Sequence, residues 1–279
     1  MLMPRILTAL VLLALLVPAL LAASPLPFAA LTLVLIGAAG WEWARLNGAC
    51  PGVSLGLGAL VTLLCGGAWA AGWSSQAPAA VWWIATLCWV IGGGYALRCG
   101  PAMWPRLPQV ARQVLGVVVL CAAWLALAGA HQRGLAFILS ALAIVWMADI
   151  AAYFGGRALG RRKLAPTISP GKSWEGVWSG LTGVLLLAGA LIAWERGAPE
   201  GAALSVFSTL WQQLGPGLAL LAGVALVALS VMGDLVESLI KRAVGAKDSS
   251  RLLPGHGGVL DRIDALLPVL PAVMAFTSV

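Results

Sequence analysis

Long apolar runs separated by short polar stretches dominate the chain. A hydropathy pass predicts nine spans, at about 6–23, 27–44, 53–73, 80–97, 113–130, 134–153, 175–194, 215–233 and 260–278. Each is close to the ~20 residues a helix needs to cross a hydrocarbon core, and a helix satisfies its own backbone polar groups there. The ninth is the least regular, with Asp261, Arg262 and Asp264 at its start and Pro268 and Pro271 inside it. The first follows Arg5 and precedes Ala22-Ala23-Ser24, as a signal peptide would. Its apolar run exceeds the usual ~7–15-residue signal core, so an uncleaved span is expected.

Charge placement tests this count. With the N-terminus in the cytoplasm and nine alternating spans, only Arg133 and Arg196 of the 17 Lys and Arg residues fall outside. That is the bias of the positive-inside rule, and one span more or fewer before residue 150 would scramble it. Asp149, Glu175, Asp234, Glu237, Asp248, Asp261 and Asp264 also gather at the inner face, while Glu195 and Glu200 fall outside. The expectation is an all-α polytopic membrane protein with its N-terminus inside and its C-terminus outside.

Composition agrees. Of 279 residues, 61% are hydrophobic and 10% charged, against about 25% charged in soluble domains. The net charge of +7 follows from basic loops beside spans, so nucleic acid is not an expected partner. Cys50, Cys65, Cys88, Cys99 and Cys121 lack metal-site spacing and are read as small packing residues. No linker divides the chain. Residues 1–279 are read as one membrane domain, with N-terminal spans over about 6–130 and the site-bearing spans and loops over about 134–279.

Two polar constellations stand out. The first runs from Trp146 through Asp149, Tyr153, Gly155-Gly156 and Arg157 to Gly160-Arg161-Arg162-Lys163 and Ser169-Pro170-Gly171-Lys172-Ser173-Trp174-Glu175-Gly176. Asp149 and Tyr153, four apart, share a helix face. An acid at a bilayer boundary needs protein, water or a cation beside it. A Pro-Gly turn can present backbone N–H groups with Lys172 to phosphate oxygens. Gly171-Lys172-Ser173 is not a P-loop, because Pro166 stands where the motif needs glycine and no strand is expected before it. Arg161, Arg162 and Lys163 equally suit a headgroup anchor.

The second starts at Gly233. Asp234, Glu237, Ser238 and Lys241 recur at i, i+3, i+4 and i+7, one polar stripe on a helix leaving the eighth span. The alternative is a solvated face. Lys247-Asp248 and Pro254-Gly255-His256-Gly257-Gly258 follow, then Asp261-Arg262-Ile263-Asp264. Glycines allow a tight turn and close approach of a ligand. Asp261 and Asp264, three apart on one helical face, with Asp234, offer the oxygen ligands that suit Mg²⁺. Pairing of these carboxylates with Arg262 or Lys247 is the alternative.

From Ser238 to Asp264, five basic and three acidic side chains crowd into 27 residues. The order Lys-Asp, Pro-Gly-His-Gly-Gly, Asp-Arg-x-Asp resembles the signature of the phosphatidate cytidylyltransferases. Asp149-x-x-Ala-Tyr153, Ser169-Pro-Gly-Lys172 and Trp174-Glu175-Gly176 resemble further family features in the same order, and the multi-span architecture agrees over nearly the whole chain. Ser250 departs from a frequent glycine, and Arg251 occupies a variable position.

The resemblance implies transfer of CMP from CTP to phosphatidic acid with Mg²⁺, at the cytoplasmic face of a bacterial inner membrane. Asp234 and Asp261 are then expected to hold metal, assisted by Asp264, Asp248 or Asp149. Lys172, Lys241, Arg242, Lys247 and Arg262 are expected at phosphate, with Tyr153, Ser169 and the Gly257-Gly258 backbone lining the substrates. His256 is expected to shape the turn or touch phosphate rather than act as a base. A second metal, a monovalent cation and a homodimer stay open. Rival readings are a CTP-using polyprenol-type lipid kinase and a transporter. The long signature argues against the first, and the one-sided acids argue against the second.

Overall fold

The computed structural model describes residues 2–199 and 201–278. Glu200, expected on the outer side, lies outside the described residues. The architecture is a helical bundle: α1 (Leu2–Leu21), α2 (Leu26–Leu46), α3 (Pro51–Ala70), short α4 (Trp73–Gln76), α5 (Ala79–Cys88), α6 (Gly94–Cys99), α7 (Gln109–Gln132), α8 (Leu135–Leu159), α9 (Trp174–Glu195), α10 (Val206–Ala243), α11 (Leu260–Ile263) and α12 (Leu266–Phe276). A π turn over Trp89–Gly93 joins α5 to α6, so the two form one apolar span. A 3-10 turn, Pro101–Arg106, precedes α7.

Among the described residues, seven helices or continuous helical stretches are long and apolar enough to cross a membrane, and α1 adds a shorter apolar helix over Arg5–Leu21. Large apolar side chains of α1, such as Leu7, Leu10 and Leu13, are exposed on the bundle's outside, where lipid tails make exposure cheap.

The ninth expected span takes a different form. Helix α12 has only 11 residues, and Leu267–Ala275 are all buried. It packs against α5, α7, α8 and α10 as the central strut of the bundle. Apolar composition reports the need for an apolar neighbour, and here that neighbour is protein. Two smaller departures also have local causes. The expected loop after residue 195 contains the first part of α10, Val206–Leu214, set off by non-helical Gly215 and by Pro216. The loop at 154–174 contains an antiparallel pair, β1 (Lys163–Ala165) and β2 (Ser169–Ser173). Of the cysteines, Cys65 is buried and Cys121 partly so, whereas Cys50, Cys88 and Cys99 are exposed rather than packed.

Small residues bring helices together where the site forms. On α9, a Cβ on Gly176 would sit 3.0 Å from the Ala152 carbonyl, and one on Gly180 would sit 2.8 Å from that of Ala148. This close approach of α8 and α9 follows the small-xxx-small pattern of membrane helices. It fixes the ends of the β1–β2 hairpin.

The bundle has two distinct ends. At one, Thr8 Oγ1 donates to the Pro254 carbonyl, so the start of α1 meets the signature loop. At the other, Arg133 Nη1 donates to the Thr277 carbonyl, so the end of α12 meets the α7–α8 turn.

Candidate active site

Helix α8 delivers Asp149 and Tyr153, the hairpin delivers Ser169 and Lys172, and α10 delivers Asp234 to one cavity of about 490 Å³. Val177, Val227 and Val231 give it an apolar side. The hairpin is held by main-chain pairing of Lys163 with Ser173, by Lys163 Nζ donating to the Pro170 carbonyl at 2.8 Å, and by Glu175. Glu175 accepts the Arg161 and Arg162 N–H groups at 3.0 and 3.1 Å and pairs with the Arg162 guanidinium at 3.1 Å. Ser173 caps α9, its Oγ accepting from the Gly176 N–H. Lys172, fixed on this hairpin, is ion-paired with Asp234.

One turn along α10, Ser238 Oγ donates to Asp234 Oδ1 at 3.3 Å. Glu237 is 3% exposed, which excludes a solvated stripe, and pairs with Lys241. Lys241 also donates to Asp261 Oδ1 at 2.7 Å. The other oxygen of Asp261 accepts from Ser249 N–H and Oγ, both at 2.9 Å, and from the Gly258 N–H at 2.8 Å. Burial would raise this carboxyl, but the bonds from Lys241 and the Gly258 N–H and the Lys241 charge outweigh it and bring it down to about 2. Asp264, between α11 and α12, goes the other way. Burial and then the charge of Asp234 push it up to about 7, against the Ala265 N–H and the charges of Lys241 and Lys172.

The structure thus divides the expected site residues. Asp149, Tyr153, Ser169, Lys172 and Asp234 share the first cavity, whereas Lys241 and Asp261 form an ion pair that lines neither cavity. Lys247 and Asp248 line a second cavity. His256 sits in a turn closed by its N–H to the Leu253 carbonyl and by Leu253 N–H to the Gly257 carbonyl, with Gly257 at φ +86°.

Three of the expected residues make contacts the sequence did not indicate or stand apart from the cavities. The Gly258 N–H donates to Asp261. Arg242 braces the hairpin, its Nε donating to the Ile168 carbonyl at 3.3 Å. Arg262 is exposed and lines neither cavity. Among the described residues, no three His, Cys, Asp or Glu side chains are gathered as a ready metal cluster. Asp234 and Asp261 are instead occupied by lysines.

Sequence reasoning missed Glu42. Fully buried on α2, it accepts Val259 and Leu260 N–H at 3.0 and 2.7 Å, and Ser249 and Ser250 Oγ at 3.2 and 2.5 Å. A Cβ on Gly258 would fall 2.4 Å from Glu42 Oε1 and 2.0 Å from Ser249 Oγ, so the last glycine of the turn admits this carboxylate. The available signal was an acid near the end of an apolar span, without a charged partner in sequence.

A family model described as the cytidylyltransferase family matches residues 3–279. A phosphatidate cytidylyltransferase of Pseudomonas aeruginosa is 38% identical over 99% of this chain and 96% of its own length. The chain belongs to the cytidylyltransferase family. A phosphatidate cytidylyltransferase of Haemophilus influenzae is 50% identical over 139 residues, 50% of this chain and 44% of its own. One of Brucella suis is 44% identical over 153 residues, 55% and 51% respectively. Membership in the cytidylyltransferase family makes this a nucleotidyltransferase, and both cavities combine charged side chains with open space.

Proposed function

We propose that this chain transfers CMP from CTP to phosphatidic acid, giving CDP-diacylglycerol and pyrophosphate, on the cytoplasmic face of a bacterial inner membrane. The observation that carries this reading is the first cavity: Lys172, paired with Asp234, lines it together with Asp149 and with valines of α9 and α10. A lipid phosphate needs this combination, a cation for the headgroup and an apolar flank for the chains. The relatives' names support the reaction, and the basic loops at this end of the bundle support the cytoplasmic side.

A phosphate monoester has its second pKa near ~6, so phosphatidate reaches the site largely as a dianion and needs no strong base. One of its oxygens attacks the α-phosphorus of CTP, the bond to the β-phosphate oxygen breaks, and pyrophosphate leaves with that electron pair. The difficulty is bringing two anions together. Lys172 is poised to exchange its bond to Asp234 for the lipid phosphate, and Lys241 to stabilise charge at the α-phosphate.

Mg²⁺ is the cofactor this reading proposes, and binding it would require Asp234 to release Lys172. Asp149, Asp234 and Asp264 offer hard oxygens, and the charge of Asp234 helps raise Asp264, a repulsion a bound cation would relieve. When bound there, Mg²⁺ would screen phosphate charge and assist departure of pyrophosphate. Pyrophosphate release by purified protein should require both CTP and phosphatidate. It should fall at least about 100-fold in Lys172→Met and Asp234→Asn, the scale of a lost electrostatic contact in the transition state. Release without phosphatidate, or full activity in both variants, would overturn the reading.

A further inference from the structure

The second cavity, about 700 Å³, is linked to the Lys241–Asp261 pair through Ser249, which lines it and donates to Asp261. Arg45 from the end of α2, Arg112 from the start of α7, and Lys247 and Arg251 from the signature loop line it, together with one acid, Asp248. The ion pairs among the described residues are Arg162–Glu175, Lys172–Asp234, Lys241–Glu237 and Lys241–Asp261. None of these four cations is in one.

Arg112 is the most telling. Its Nε is buried without a hydrogen-bond partner. Its Nη1 reaches only to 3.5 Å from Asn47 Oδ1, which already accepts the Trp104 indole N–H at 2.8 Å. Buried guanidinium donors left unspent are costly, and four cations around one acid repel one another. An anion with several oxygens answers both. The walls are rigid: Trp43 Nε1 donates to the Arg112 carbonyl at 2.8 Å, and Glu42 pins Ser249 and Ser250 within the loop that carries Lys247 and Arg251.

We infer that this cavity holds the phosphate chain of the nucleoside triphosphate, and that the first cavity holds the lipid phosphate. The inference rests on the proposed cytidylyl transfer and adds which residues take each substrate. The two cavities differ as the two substrates differ. The first is flanked by valines, whereas the second is framed by charged side chains and loop backbone. Ser249 lines the second cavity and bonds Asp261, which bonds Lys241. The β- and γ-phosphates among the arginines would therefore leave the α-phosphorus toward the Lys241–Asp261 pair. Two of the cations, Arg45 and Arg112, come from the part of the chain expected to carry only spans.

The test is steady-state kinetics on full-length protein in mixed micelles, with direct binding of the non-transferable analogue cytidine 5′-(α,β-methylene)triphosphate. Arg45→Gln and Arg251→Gln change exposed side chains, and Arg112→Gln the half-buried one. Unchanged thermal melting identifies the folded variants. Each folded variant should raise the KM for CTP, the inhibition constant of pyrophosphate and the Kd of the analogue about tenfold, the effect of one lost charge-assisted hydrogen bond. The KM for phosphatidate should stay within about twofold. A rise confined to the phosphatidate KM would assign the cavity to lipid headgroups and overturn the inference, as would unchanged constants for both substrates. Wild-type protein that binds the analogue but makes no CDP-lipid would sink the proposed reaction while leaving the nucleotide assignment standing. Wild-type protein that binds no analogue would overturn both.

Discussion

Glu42 shows how one side chain in a predicted span can control a distant loop. It collects two backbone N–H groups and two hydroxyls from residues 249–260, more than 200 positions along the chain. Each donor stranded without water costs ~1–3 kcal/mol. Glu42→Ala should therefore lower the melting temperature and speed amide exchange at Val259 and Leu260, with Glu42→Gln intermediate because its amide keeps one acceptor oxygen. Unchanged exchange at those two amides in Glu42→Ala would contradict this role. At this scale the sequence was legible where polar residues cluster. Asp149, Lys172 and Asp234 do meet in space. The lysine pairing of Asp234 and Asp261, and the commitment of the Gly258 N–H, depend on contacts between residues 12 or more apart in most cases, which spacing along one element does not report.

Helices α8 and α9 set the width of the first cavity, because Gly176 and Gly180 let them touch. Gly180→Leu should force them apart. The side chain must displace the Ala148 backbone, and strain of this kind costs typically ~1–3 kcal/mol. Lower thermal stability together with a larger KM for phosphatidate is the expected outcome in a detergent assay. An unaltered variant would remove the packing argument. Spans were legible because hydropathy needs only composition over a window. The hairpin was not, since strands of three and five residues within a charged loop show too little alternation to register. Helix α12 was found in the right place with the wrong surroundings, because an apolar run looks alike whether lipid or protein covers it.

The whole molecule brings its charged chemistry to one end. The start of α1, the hairpin, the end of α10 and the signature loop meet there, and the end of α12 lies at the other. Placing 15 of 17 basic residues on one side of a membrane expects charge to gather at one end in this way. The most direct test of the account uses purified protein, phosphatidate and CTP labelled with ³²P at either the α or the γ position. The account predicts that α-label appears in a CDP-lipid while γ-label leaves as pyrophosphate. Transfer of γ-label to the lipid, or no transfer of either label by folded protein supplied with Mg²⁺, would contradict it.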